Sequence, residues 1–177
     1  MRRLFSILLL YLVLVTIVSA QSFRPVPHEF YQEGKKSLNL SKGVALIDPK
    51  CAFSDDCGFL KARTKGTFLS IDFGPEVSNP AGVKSVPGAY KLTVTPKGII
   101  IIGYDEQGAF WGLQTLRSLV EESDDMRIPC CTIKDWPDND ARGMADCSYD
   151  GRWSQDFRLS VIGLAGSLKM NEYVYAP

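Results

Sequence analysis

The stretch from Arg142 to Pro177 constrains the fold of this chain more than any other part. Residues 142–147 form a short segment bounded by polar turns, and Ser154 follows with a side chain that can cap a helix. Apolar residues then recur at spacings of three and four, which predicts an amphipathic helix: Phe157, Val161, Leu164 and Leu168. Asn171 ends this pattern, and Tyr173-Val174-Tyr175 is typical of a strand. The order strand, helix, strand predicts a βαβ unit, which requires parallel strands and here begins a larger sheet.

The N-terminus has the pattern of a secretory signal peptide. Arg2 and Arg3 precede an apolar run from Leu4 to Val18, and small residues end it at Ala20. An uncleaved anchor is the weaker alternative, because a membrane span needs ~20 apolar residues. We therefore expect cleavage after Ala20, a secreted or periplasmic protein, and no membrane attachment after cleavage.

Charge and length exclude several classes of protein. Without the signal peptide, 18 basic residues stand against 20 acidic ones, a net charge of −2, which is unlike a nucleic-acid-binding protein. The remaining 157 residues can bury one core. They are far fewer than the roughly 250 of a complete (β/α)₈ barrel.

Five cysteines in an exported chain favour disulfides: Cys51, Cys57, Cys130, Cys131 and Cys147. Cys51 and Cys57 are close enough in sequence for a local loop, whereas Cys130 and Cys131 should point to opposite faces of a strand. Cys147 is expected to be the unpaired thiol. A metal site is not expected, since the sequence contains no Cys-x-x-Cys and only one histidine, His28.

Residues 21–133 have the pattern of one α+β domain. Strands are predicted at 43–47 and 67–73, and a hairpin at 90–102 turns at Thr95-Pro96-Lys97-Gly98. The run Ile99 to Ile102 has no polar alternation, which indicates a central strand covered on both faces. Residues 75–88 contain three prolines and two glycines and are predicted to be a loop.

A helix from Asp105, as its N-cap, to about Val120 follows this hairpin. Gly108 and Gly112 lie inside it, and we interpret them as letting the helix approach the sheet closely. They do not form the glycine pattern of a phosphate-binding loop.

The charged residues outside the C-terminal stretch do not form a catalytic pattern. Three acidic pairs are interpreted as exposed turns: Asp55 with Asp56, Asp124 with Asp125, and Asp138 with Asp140. His28 is interpreted as a surface residue, since no nucleophile or acid is spaced around it.

Several of these segments together resemble one enzyme family. Asp-Trp-Pro-Asp (135–138), Arg-Gly (142–143) and Lys-Met-Asn-x-Tyr-x-Tyr-Ala-Pro (169–177) resemble the beginning of the catalytic barrel in O-GlcNAcase-like β-N-acetylglucosaminidases, glycoside hydrolase family 84. The related family 20 hexosaminidases share the Arg-Gly pair and are the alternative family. Gly-Ala-Phe-Trp-Gly-Leu-Gln-Thr-Leu (108–116) resembles a helix of the small α+β domain that precedes the barrel in both families.

The resemblance implies an organisation and a function. After the signal peptide at 1–20, it implies an α+β domain with a small mixed sheet at 21–133 and the truncated start of a TIM barrel at 134–177. The implied enzyme is an exported, retaining β-N-acetylhexosaminidase that acts on N-acetylhexosamine-containing glycans without a cofactor. This chain lacks the catalytic carboxylate pair and is expected to be inactive by itself. The alternative is a non-catalytic carbohydrate- or protein-interaction module with a vestigial barrel tail.

The resemblance also implies substrate-binding residues near the first barrel strand. Asp146, Cys147 and Tyr149 occupy the loop that normally reads Glu-Gly-Phe-Tyr-Gly in family 84, where the first glycine contacts the sugar. Cys147 replaces that glycine, which raises the alternative of a diverged or inactive member. Arg142 resembles a substrate-binding arginine of family 20. Alternatively, it braces the start of the strand through an ion pair with Asp138 or Asp140.

Overall fold

The computed structural model describes residues 25–147, 151 and 153–176. The expected signal peptide and Tyr149 therefore lie outside the described residues. The described strands are β1 Glu29–Asn39, β2 Ala45–Ile47, β3 Phe68–Phe73, β4 Tyr90–Thr95, β5 Gly98–Gly103, β6 Arg127–Asp135, β7 Gly143–Cys147 and β8 Glu172–Ala176. The α-helices are α1 Pro75–Ala81, α2 Glu106–Glu121 and α3 Gln155–Ser167.

Six strands form one mixed sheet in the order β1-β6-β4-β5-β3-β2. The pairs β2–β3 and β3–β5 are parallel, and the other neighbours are antiparallel. The helix α2 packs on one face, where the buried residues Leu69, Leu92, Ile101 and Leu113 belong to a single apolar core. The predicted α+β class with a small mixed sheet is confirmed.

The predicted hairpin is present as β4 and β5, which pair from Tyr90 and Gly103 to Thr95 and Gly98. The strand β5 is central, as expected, but the prediction that both of its faces are covered is wrong. Ile99 and Ile101 are fully buried toward α2, whereas Ile100 on the other face is 36% exposed. The segment Ile99 to Ile102 is therefore apolar, although one of its two faces is not covered by a second layer.

Residues 75–81 form a helix, which corrects the prediction of a loop over 75–88. Pro75 is compatible with the first turn, because its missing N–H would have no helical partner there. Gly82 ends the helix in the left-handed conformation and donates its N–H to the last turn. The sequence also gave no indication of the long edge strand β1.

The capping of α2 and its close approach to the sheet are confirmed. The Asp105 side chain accepts a hydrogen bond from the N–H of Gly108 at 2.7 Å. A Cβ at Gly108 would lie 2.1 Å from the carbonyl oxygen of Ala89, and one at Gly112 would lie 2.6 Å from Ile101. Only glycine lets the backbone of α2 lie this close to β4 and β5.

The predicted βαβ unit is present and separate from the larger sheet. β7 and β8 are parallel and form a two-stranded sheet, with α3 between them in the chain. Ser154 caps α3, because its Oγ accepts a hydrogen bond from the N–H of Phe157 at 3.2 Å. The larger sheet ends with Asp135 and the smaller begins at Gly143, while the domain boundary at 133 and 134 stays a prediction.

The apolar face predicted for α3 is not buried. Phe157 is 49% exposed and Leu164 is 56% exposed, and Ala165 is the buried residue of this helix within the described chain. A sheet of two strands is too narrow to cover a three-turn helix. Most of the apolar face of α3 is therefore exposed.

All five cysteines lie within the described residues, and all five are free thiols. The expected local pairing of Cys51 with Cys57 is therefore not present. Burial in the core raises the pKa of Cys131 to about 12, so this thiol stays protonated. No helix in the described part of the chain is long and apolar enough to cross a membrane.

Candidate functional site

The carboxyl end of β7 holds the Asp146 side chain in a network of protein donors. Asp146 is 1% exposed, and its Oδ2 atom accepts hydrogen bonds from Arg158 Nε at 2.7 Å and from the Tyr173 hydroxyl at 3.0 Å. The hydrogen bond from Arg158 contributes most to holding the pKa of Asp146 below its ordinary value. Asp146 thus joins the end of β7 to the first turn of α3 and to β8.

Alternation along β7 separates Asp146 from Cys147. Asp146 lies on the face covered by α3, since its partner Arg158 belongs to that helix. Successive side chains of a strand point to opposite faces, so Cys147 lies on the other face, which is exposed in the described chain. The third predicted residue of this loop, Tyr149, lies outside the described residues.

Arg142 lies at the opposite end of β7. Arg142 and Asp146 are four positions apart along the strand, which corresponds to about 13 Å. The guanidinium donates to the carbonyl of Lys169 at 2.9 Å and to that of Asn139 at 2.6 Å. Arg142 therefore braces the start of the strand through carbonyl groups, whereas the expected partners were the carboxylates of Asp138 or Asp140. A role at the substrate stays a prediction.

A buried polar cluster lies beside Arg142, between the two sheets. We call it the junction cluster, and it consists of Tyr90, Thr115, Asp135 and Lys169. Lys169 Nζ lies 2.6 Å from Asp135 Oδ2 and donates to the Tyr90 hydroxyl at 2.8 Å. The Tyr90 hydroxyl is also 2.6 Å from Thr115 Oγ1. The cluster borders a cleft of about 210 Å³ that Arg142 also lines.

His28 extends this cluster toward the surface. Its Nδ1 lies 2.8 Å from Asp135 Oδ1, its Nε2 lies 3.1 Å from Asp138 Oδ1, and its ring stacks on Trp136. The hydrogen bond to Asp135 is the largest cause that raises the pKa of His28. Burial alone raises the pKa of Asp135, but Lys169 and His28 outweigh it and keep that pKa below its ordinary value.

The sequence pattern did not indicate that Asp135 and Lys169 belong to this site, or which groups pair with His28. His28 was interpreted as having no acid nearby, yet both of its carboxylates lie more than a hundred residues away in sequence. The available signal was weak: Asp135 and Lys169 each begin a motif that resembles the glycosidase families. Among the described residues, no group of His, Cys, Asp or Glu side chains could hold a metal ion.

Comparison with known proteins establishes the family. The profile of glycosyl hydrolase family 20, domain 2, matches residues 24–136. The chain belongs to glycosyl hydrolase family 20. This supports the family that the sequence left as the alternative, whereas membership of family 84 is not confirmed.

Relatives of this family 20 chain are much longer than the chain itself. It is 29% identical to N,N'-diacetylchitobiase of Vibrio harveyi over 152 residues, which are 80% of this chain and 16% of that protein. It is 30% identical to the β-hexosaminidase of Vibrio vulnificus over 138 residues, 77% of this chain and 16% of the relative. The chain thus spans about a sixth of the length of these two relatives.

The family 20 chain also has the fold of a family 84 structure. The structure of CpGH84B superposes with a TM-score of 0.72 and 26% identity, and the match covers 89% of this chain and 30% of that chain. The similarity to a family 84 structure agrees with the resemblance of the C-terminal motifs to that family.

Proposed function

We propose that this chain is the small domain and the barrel start of an exported β-N-acetylhexosaminidase. The observation that supports this most strongly is the order of parts: a family 20 domain at 24–136 followed by the parallel βαβ unit Gly143–Ala176. The relatives named as chitobiase and hexosaminidase support N-acetylhexosamine-containing glycans as the substrate class. The cleaved sugar would be a terminal N-acetylglucosamine or N-acetylgalactosamine.

The proposed reaction is retaining and assisted by the substrate. One carboxylic acid protonates the leaving oxygen, and a paired carboxylate orients the 2-acetamido group of the substrate, which takes the place of a protein nucleophile. The three acidic pairs considered above do not suit these roles, because they are exposed and precede β7 in the chain: Asp55, Asp56, Asp124, Asp125, Asp138 and Asp140. Barrel active sites lie at the carboxyl ends. We infer that this chain alone does not hydrolyse glycosides.

The sugar-facing part of the chain would be the end of β7. Helices surround the strands of a TIM barrel, so the face of β7 that α3 leaves uncovered would face the barrel interior. Cys147 lies on that face, and with Tyr149 it is the best candidate for a substrate contact. Asp146 lies on the other face and would hold the end of β7 in place.

Two measurements test the enzyme assignment. The coding sequence beyond codon 177 is expected to continue a barrel and to contain an adjacent acidic pair, and a stop codon there would favour the non-catalytic interaction module. The 177-residue chain is expected to release no chromophore from a chromogenic N-acetylglucosaminide. Turnover above background would refute the inferred inactivity. Export predicts that the mature protein begins at Gln21, which N-terminal sequencing of the secreted product tests.

The role of Cys147 can be tested in the longer enzyme that the coding sequence beyond codon 177 is expected to encode. Cys147→Gly removes a side chain from the proposed sugar side, so the KM should decrease while kcat changes little. The matched control is the same substitution at Cys51, an exposed cysteine of the small domain, which should leave both constants unchanged. An unchanged KM in the Cys147 variant would remove this residue from the proposed site.

A further inference from the structure

Apolar side chains of α2 and α3 meet between the six-stranded sheet and the βαβ unit. Among the described residues, no strand of the six-stranded sheet pairs with β7 or β8. The helices α2 and α3 contact each other, but a groove of about 450 Å³ lies between them and is lined by Phe110 and Trp111 of α2 and by Ile162 of α3. Ala165, a small residue, is the buried contribution of α3. Apolar contact is non-directional, so it does not by itself select one relative position of the two helices.

The junction cluster supplies the directional contacts that this packing lacks. Lys169 belongs to the βαβ unit, and its ammonium crosses to Asp135 and Tyr90 of the six-stranded sheet. The side chains of Lys169 and Asp135 are only 10% and 9% exposed. Buried charges that are separated from their partners are strongly unfavourable, so one relative position of the two units is preferred over its neighbours.

The end of α3 determines where the Lys169 side chain leaves the helix. Lys169 has a φ angle of +59°, the left-handed conformation in which many helices end. The N–H of Met170 donates to the carbonyl of Ala165 at 2.9 Å, which closes the helix at this point. The carbonyl of Lys169 accepts the hydrogen bond from Arg142 Nε at 2.9 Å, so the same residue also holds the Arg142 guanidinium.

We propose that Lys169 is a positioning residue that docks the βαβ unit onto the six-stranded sheet and, through its carbonyl, orients Arg142. The small domain is then the platform that sets the position of the first barrel strands. The docking does not depend on the proposed glycosidase activity.

Hydrogen exchange in the full chain, followed by mass spectrometry, tests this role. In Lys169→Met the Asp135 carboxylate loses its buried ammonium partner and keeps only His28, which lies on the side of the six-stranded sheet. The amides of β7, α3 and β8 should then exchange at least about tenfold faster. The amides of β3, β4 and β5 should keep their protection. Lys134→Met is the matched control, because Lys134 pairs with Glu29 within the same sheet at 3.2 Å and should leave the βαβ unit unchanged.

A double variant separates docking from general loss of stability. Asp135→Asn combined with Lys169→Met leaves no unpaired charge in the buried cluster, since the partly exposed His28 keeps Asp138 as a partner. The double variant should return the exchange of the βαβ unit toward that of the wild type. If Lys169→Met does not fold, Tyr90→Phe is the alternative, because it removes the hydroxyl that accepts a hydrogen bond from Lys169. It should increase exchange in the same strands and helix, by a smaller factor. A uniform increase over the whole chain, no increase at all, or a double variant as fast as Lys169→Met would overturn the proposal. Because exchange needs no substrate, an inactive enzyme would not affect this result.

Discussion

Alanine substitutions at three helical glycines should give a graded series of stabilities. At Gly163 in α3 an added Cβ would meet no atom within 4 Å. At Gly112 in α2 it would lie 2.6 Å from the Ile101 side chain, which can shift. At Gly108 it would lie 2.1 Å from the carbonyl oxygen of Ala89, which belongs to the backbone. The chemistry of the three changes is the same, and only the surroundings differ.

The magnitudes follow from two opposing effects. Replacing glycine by alanine in an open helix position raises the free energy of unfolding by about 0.5–1 kcal/mol. Overpacking a close contact lowers it by about 1–3 kcal/mol. Gly163→Ala should therefore stabilise the chain, and Gly112→Ala should lower the free energy of unfolding by about 1 kcal/mol. Gly108→Ala, which displaces backbone, should lower it by at least about 2 kcal/mol.

Thermal unfolding followed by circular dichroism measures this series. A change of 1 kcal/mol shifts the Tm by roughly 2–4 °C in a chain of this size, so Gly108→Ala should lower the Tm by at least about 4 °C. Urea unfolding gives the same order through the midpoint. If Gly108→Ala is as stable as Gly163→Ala, the close approach of α2 to β4 does not limit the fold, and the reasoning from the added Cβ is refuted.

Three further perturbations test the capping, the junction and the end of β7. Asp105→Ala should lower the free energy of unfolding by about 1–2 kcal/mol, whereas Asp105→Asn keeps the cap and should remain near the wild type in the same urea titration. The pKa of His28 is raised in the folded chain, so its contribution to stability is complete below about pH 6.5 and is lost as the pH rises through the folded pKa. In His28→Gln the Tm should therefore decrease less than in the wild type as the pH rises through this range. An unchanged dependence of Tm on pH would contradict the pairing of His28 with Asp135. Arg158→Met leaves the Asp146 carboxylate without its cation, so the amides of β7 should lose protection from hydrogen exchange, and full protection would show that the pair does not hold this strand.

Local patterns predicted most of the secondary structure. The turn at Thr95-Pro96-Lys97-Gly98 and the N-caps Asp105 and Ser154 involve residues within four positions of each other, so the sequence contains all that is needed. The helix α1 was missed because prolines and glycines were counted as breakers. Pro75 and Gly82 instead mark its first turn and its C-cap.

The candidate site was predictable only in part. The sequence placed Asp146 and Cys147 at the end of a strand, and the structure assigns them to opposite faces by alternation along β7. The exposure of Ile100 also could not be read from its apolar neighbours. Whether a second layer covers a strand depends on elements far along the chain, and no local pattern reports it.

By itself, the sequence determined most of the elements, the family resemblance and the parallel βαβ unit, because each follows from residues close together in the chain. Only the tertiary structure decided how the two sheets meet. Lys169 reaches Asp135 across 34 residues and Tyr90 across 79, and His28 reaches Asp135 across 107. Contacts at these separations depend on how the six-stranded sheet is assembled and on how α3 packs against it. The pairing of these charges is therefore a consequence of the fold, and no spacing in the sequence indicates it.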